Sequence, residues 1–265
     1  MTSEAEPVAR LATTDDASEM LPVIEAAFDG WPPCDIALSA LEHLQWKLSH
    51  PAVSGAIAPA HTAVELDGRI AAVSVRWESC LMIGGEELVQ DSGIDQAVLP
   101  EMQGRGLGGR MGAIRPCHAI TDSDIALGSG SDNPAIANMF NRFHTTEVQY
   151  QLSTLTSAFD PRGFVATHLR GGGRAHLARN LVRWVALRPR WDGANSGGVW
   201  IERLARFDER ASVLTARYAA DFDVSVIRSV EYLNWRYLDP RFGPAFALGA
   251  FEDGHLLGLA VFKRS

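Results

Sequence analysis

Residues 94–115 read IDQAVLPEMQGRGLGGRMGAIR, from Ile94 to Arg115, and their reading decides the fold. Ile94 to Leu99 is an apolar-rich run whose β-branched Ile94 and Val98 suit a buried strand, and Pro100 stops it. Gln103-Gly104-Arg105-Gly106-Leu107-Gly108-Gly109 follows, and then Leu107, Met111 and Ile114 fall at i, i+4 and i+7, the apolar stripe of a helix that closes before Pro116. The glycines therefore sit where a strand turns into a helix. At such a point backbone N–H groups lack intrahelical partners and the helix carries about +0.5 charge, so a phosphate can be held without side chains.

Two families use these letters. Gly104-Arg105-Gly106-Leu107-Gly108-Gly109 spells the dinucleotide pattern G-x-G-x-x-G, with Asp122 or Asp124 downstream for a ribose hydroxyl. A dinucleotide fold, however, places its first glycine directly at the strand end and repeats βαβ units. Here Pro100-Glu101-Met102-Gln103 intervene, and the preceding segments read as two helices followed by strands. Val98-Leu99-Pro100-Glu101-Met102-Gln103-Gly104-Arg105-Gly106-Leu107-Gly108 instead resembles the acyl-CoA loop of the GNAT acyltransferase superfamily, Gln/Arg-x-x-Gly-x-Gly/Ala in the setting V-x-P-x-x-Q-G-R-G-L-G. The resemblance implies a mixed α/β fold, with a mixed central sheet flanked by helices. It also implies that Gln103 to Gly108, with Gly109 beside them, hold the pyrophosphate, and that pantetheine runs along the strand ending at Val98.

The chain before this loop fits that order. Val8 to Ala12 reads as a strand, Thr14-Asp15-Asp16 as caps for a helix through Met20, Ile24 and Phe28, and about Ile36 to Leu48 as a second helix. Thr62 to Leu66 and Ile70 to Trp77 are antiparallel strands turning on Asp67-Gly68, and Gly84-Gly85 marks another turn. Beyond the loop, Ile125 to Leu127 is a strand, Asp132-Asn133-Pro134 opens a helix, and Val148 to Thr156 alternates into one more strand.

Composition sets the outer bounds. The 265 residues allow one large or two modest domains, and 46% apolar content predicts a globular chain. A formal charge of −8 argues against a nucleic-acid partner. Cys34, Cys80 and Cys117 share no C-x-x-C spacing, which fits free thiols rather than a zinc site, and no metal is expected. The polar start MTSEAEPVAR and the absence of a long apolar run predict a cytoplasmic protein with no membrane partner. A homodimer is left open.

Residues 159–198 read as a linker, with a Gly171-Gly172-Gly173 hinge and a helix whose apolar face carries Leu177, Leu181, Trp184 and Val185. Its Arg174, Arg179 and Arg183 make either a solvated face or a docking patch for an acidic partner. After it an earlier pattern returns. Leu44-Gln45-Trp46-Lys47 through Pro51 and Leu233-Asn234-Trp235-Arg236 through Pro240 both spell L-x-W-[K/R]-x-x-x-P, and a hairpin follows each, turning on Asp67-Gly68 and on Asp253-Gly254. The expected organisation is thus a GNAT-like acyl-CoA-binding domain over 1–158, a linker over 159–198, and over 199–265 a partial second GNAT-like unit. That second unit reaches Ser265 without a glycine loop of its own.

The resemblance extends to the chemistry. It implies acetyl-CoA or another acyl-CoA as co-substrate and a small-molecule amine as acceptor, attacked directly in a ternary complex. Asp91 and Asp95 are the carboxylates on the central strand available as bases; they share a face unless a bulge intervenes. Asn133 matches the asparagine of the family segment N-P-A-x-x-x-x-Tyr, and Phe140 stands where that segment has its thiolate-protonating Tyr. The acid is then Tyr150 or a water, or the chain is a weakly active or non-catalytic acyl-CoA-binding protein.

Overall fold

A computed structural model describes residues 6–28, 30–32, 38–51, 61–111, 125–128 and 198–263. All of these belong to one compact unit drawn from 1–130 and 198–265. The readings at Cys34, Cys117, Asn133, Phe140, Tyr150 and 159–197 lie outside the described residues.

Strand β1 (Val8–Leu11) leads through a 3₁₀ turn, Thr14–Asp16, into α1 (Ala17–Ala27). The entry is fixed by a capping box. The Asp15 N–H donates to Thr13 Oγ1 and the Thr13 N–H to Asp16 Oδ2, which satisfies donors the helix itself cannot. Arg10 clamps this corner to the sheet, 2.7 Å from Asp16 and 2.6 Å from Glu65, and it holds the Asp16 carboxyl below its ordinary range. Helix α2 (Ala40–Leu48) opens on a second box, Ser39 with Glu42.

Strands β2 (Thr62–Leu66) and β3 (Arg69–Ile83) form the expected hairpin, with Asp67 at φ 53° and Gly68 at φ 74°. β3 then runs for 15 residues and turns at Gly84-Gly85 into β4 (Glu86–Val98). The central strand thus begins at Glu86, eight residues before the apolar run that announced it. β1 to β4 pair antiparallel in sequence order, and β5 (Ile125–Gly128) adds in parallel to β4. Helices α1 and α2 cover one face. Met20, Ile24 and Leu44 pack with Val73, Val75 and Ala97, all at most 3% exposed.

The C-terminal stretch joins this sheet. β7 (Val224–Ile227) pairs with Cys80–Ile83 of β3, end to end with β2 on the same edge, which only a strand of β3's length can accommodate. The other elements of this stretch are β6 (Trp200–Leu204), α4 (Glu209–Ala219) capped by Asp208, α5 (Val230–Leu233), β8 (Ala245–Glu252) and β9 (His255–Lys263). β6, β8 and β9 make a three-stranded antiparallel sheet. α5 continues into a wider π turn, Asn234–Leu238, closed by the Asp239 N–H on the Asn234 carbonyl. The Asn234 amide donates to the Phe207 and Val230 carbonyls and accepts from the Phe207 N–H, pinning that widened turn.

α2 and this widened turn meet in an aromatic cluster. The Trp46 and Trp235 rings stack at 4.8 Å and 20°. The Trp46 indole N–H donates to the Trp235 carbonyl at 2.8 Å, and the Trp235 indole N–H donates to the Trp46 carbonyl at 3.0 Å.

Candidate active site

The site is built where β4 ends. Leu99 is the last residue held to β3, its N–H on the Ala71 carbonyl, and Pro100–Met102 make one 3₁₀ turn. Gln103 is extended, Gly104 stands at φ 80° and Gly106 at φ 75°. Side chains rarely adopt that backbone region, so these two positions require glycine for the turn itself. A helix, α3, opens at Leu107 and is described to Met111; both residues are buried and anchor it to the core. Gly108 and Gly109 are different. They have no positive φ, and a Cβ added at either would meet nothing within 4 Å. Their smallness leaves open space in front of the helix start instead of relieving an internal clash.

Gln103, Gly104, Arg105 and Gly106 are all exposed, so the first-turn N–H groups of α3 face outward beside them. The residues present fit an anionic diphosphate: a backbone cradle, no Cβ in front of it, and Arg105 on the same exposed turn. Among the described residues no cluster of His, Cys, Asp or Glu could hold a metal ion, and no helix is long and apolar enough to cross a membrane.

A bulge lies upstream of this loop. Val75 pairs with Asp95 but Arg76 pairs with Gly93, so Ile94 is the extra residue on β4. On its other edge β4 pairs with β5 only over Gln90–Gly93. Beyond the bulge, and up to Val98, no described strand pairs with that edge. The bulge also decides the relation between the two aspartates. Asp91 registers with Glu78 and Asp95 with Val75, three residues apart in β3, so the two positions fall on opposite sides of the pleat.

Asp95 lies on the α2 side and is paired. The Lys47 ammonium sits 2.5 Å from its Oδ2, with the two side chains 11% and 16% exposed. Lys47 also lies 5.1 Å over the Trp31 ring, and His43 packs edge-on to Trp31 at 5.6 Å. The His43 Nδ1–H donates to the Arg241 carbonyl, and burial lowers its pKa. Lys47, Trp31 and His43 were not singled out as site residues by the sequence reading. The available signal was a lysine between Trp46 and Leu48 on the buried side of α2, where a cation needs a partner.

No protein-family model matches the chain, and no curated protein sequence does. Solved structures do. A protein from Enterococcus faecalis described as a probable N-acyltransferase superposes with a TM-score of 0.58 at 12% identity, over 98% of this chain and 56% of its own. The chain thus spans little more than half the length of that structure. A ribosomal-protein-alanine N-acetyltransferase from Brucella melitensis matches at TM-score 0.43 and 10% identity, over 58% of this chain and 100% of its own. An aminoglycoside N-acetyltransferase in complex with CoA matches at TM-score 0.44 and 12% identity, over 60% and 99%. The first of these shows that the chain shares the fold of that structure.

Proposed function

We propose that the chain is an acyl-CoA-dependent N-acyltransferase, using acetyl-CoA and transferring the acyl group to a small-molecule amine by direct attack in a ternary complex. One observation carries the reading: a glycine turn with positive φ at Gly104 and Gly106 delivers an exposed helix start to the end of β4, beside a strand edge with which no described strand pairs from the bulge to Val98. The cradle suits the pyrophosphate and that edge suits the amides of pantetheine, which would pair with it as an added strand does.

In this reading Gln103, Gly104, Arg105, Gly106, Leu107, Gly108 and Gly109 bind the pyrophosphate, and Asn133 and Phe140 border the CoA arm. An alkyl ammonium has a pKa near 10, so a base must take its proton before attack. Asp95 is the better placed of the two aspartates, since it lies on the α2 side among Trp31, His43 and Lys47. The acceptor's ammonium would then exchange with that of Lys47 on the carboxylate. Asp91 serves the opposite side of the pleat, and Tyr150 or water returns a proton to the thiolate.

A second reading has its own support. Lys47 holds the Asp95 carboxylate, and Phe140 lacks the hydroxyl found at its place in the family pattern. Both fit a protein that binds acyl-CoA with little or no turnover. Thiol release from acetyl-CoA across a panel of amines separates the readings, since only the enzyme reading expects release. Gly106→Asp tests what they share. Its carboxylate would stand against the pyrophosphate at a φ that already disfavours a side chain, so calorimetry should show acetyl-CoA affinity falling by roughly tenfold or more. A variant with wild-type circular dichroism and unchanged affinity would remove the cradle from either reading.

We infer as well that 199–265 is a partial second copy of the helix-and-hairpin segment. The shared L-x-W-[K/R] pattern and the reciprocal Trp46 and Trp235 hydrogen bonds support this, as does the pair of Asp-Gly turns.

A further inference from the structure

The C-terminal stretch carries a half-open cavity of about 570 Å³, bordered by α4, α5 with its widened turn, and β9. That volume lies within the range of sites for small organic ligands. Leu214, Leu233, Leu257, Leu259 and Val261 supply its aliphatic lining. Its charged lining is one-sided: Arg228 and Lys263 are both present, and among the described residues no carboxylate lines it. Among the described residues neither cation takes part in an ion pair.

The polar groups in the lining differ in what they have left to offer. Thr215 Oγ1 already lies 3.0 Å from both the Ser212 and Arg228 carbonyls, so its proton is committed. The Lys263 ammonium makes one long contact, 3.3 Å to the Phe242 carbonyl, and rests 4.0 Å over the Phe242 ring, which leaves two of its three protons free. Two cationic residues in a largely apolar lining raise the potential in the cavity. An uncharged apolar ligand would leave that potential unused, and a cation would be repelled.

We propose that this cavity binds an amphipathic monocarboxylate, its hydrocarbon body against the leucine wall and its carboxylate on Arg228 and Lys263. The described lining of this cavity shares no residue with the loop after β4.

Decanoate is the probe, titrated by calorimetry into the full chain, with decan-1-ol and acetate as controls for head and body. One-site binding of decanoate is expected, at least tenfold tighter than decan-1-ol and with no measurable acetate binding. Arg228→Gln and Lys263→Gln should each weaken decanoate about fivefold or more without changing the alcohol. Gly106→Asp should leave decanoate binding unchanged. Equal affinity for acid and alcohol overturns the proposal, as do indifference to both cation variants, loss of binding in Gly106→Asp, or an absence of saturable binding.

Discussion

Trp46 and Trp235 head the same sequence pattern, are followed by hairpins that turn on Asp67-Gly68 and Asp253-Gly254, and donate to each other's carbonyl oxygens. From there the two regions diverge. The first hairpin lies inside the large sheet, with Ala63, Val64 and Ala71 to Val73 wholly buried, and β3 hands the chain on to β4 and the glycine loop. The second lies in a three-stranded sheet, where Phe246, Leu257 and Phe262 are about 40% exposed. Position for position, Ala63 of the first hairpin corresponds to Gly249 of the second. A Cβ at Gly249 would come within 2.7 Å of the Phe251 ring, so the later hairpin fills that space from a neighbour. The same local signals thus give the same turn and the same tryptophan contact, while burial on both faces depends on what else the chain lays against them.

The sharpest way to break this comparison is at the tryptophan pair. Trp46 is fully buried and Trp235 is 8% exposed, and each ring covers the other. Truncating either to alanine should cost roughly 3–5 kcal/mol, from the lost ring and its cavity, and should strand a carbonyl on the partner. Because both variants remove one shared contact, the double variant should cost less than the sum by about 1–3 kcal/mol in urea denaturation. Additive losses, or a Trp235→Ala loss under 1 kcal/mol, would mean that the C-terminal region merely rests against the first.

Acid should separate the regions next. Burial pushes His50 and His61 down to about 4, from an ordinary 6.5. His61 is held neutral by geometry, Nε2–H donating to the Leu48 carbonyl and Nδ1 accepting from the Arg76 N–H. His50 packs its ring against Trp235 at 4.4 Å. Both belong to the first region; the place of His50 in the second pattern is taken by Asp239, which is paired with Arg241 at 2.6 Å. The unfolded chain takes up these protons as pH falls through 6.5, whereas the folded one does so only near 4. The stability is therefore complete above 6.5 and is lost between 6.5 and 4, by about 2 kcal/mol per histidine at pH 5. His50→Phe keeps a ring against Trp235 and removes one titration, so the fall in urea stability from pH 7.5 to 5 should shrink by about 2 kcal/mol. An unaltered fall would show that His50 protonates freely in the folded state.

The legible parts of the molecule are those whose cause is local. Pro100, the glycines and the Leu107–Met111 spacing announce a strand end, a turn and a helix start, and Asp-Gly flanked by apolar runs announces each hairpin. The illegible parts depend on partners far along the chain. β7 finds β3 across more than a hundred residues, and Val224–Ile227 alone carries no mark of where it will pair. The polar start of β4, from Glu86, lacks the apolar run that marks Ile94 to Leu99, and its extent shows only in the pairing with β3. The bulge at Ile94 exists only in the register with Val75 and Arg76, so the shared face expected of Asp91 and Asp95 hung on a feature their own spacing cannot reveal. Lys47 meets Asp95 only after α2 is laid over the sheet.

The smallest test asks whether the two hairpin turns are equivalent once the cores around them are set aside. Gly68 stands at φ 74° and Gly254 at φ 81°, following Asp67 at 53° and Asp253 at 48°, so both turns need left-handed backbone at both central residues. Neither glycine has an atom within 4 Å of where a Cβ would go. Alanine at either place therefore clashes with nothing outside its own backbone, and its cost is that of holding an L-residue at positive φ, about 1 kcal/mol. Gly68→Ala and Gly254→Ala should then lower urea stability by the same amount within about 0.5 kcal/mol, although one hairpin is buried in the large sheet and the other borders solvent. A difference of 2 kcal/mol or more would show that the surrounding sheet strains one turn and not the other, and that the likeness of the two hairpins stops at their sequence.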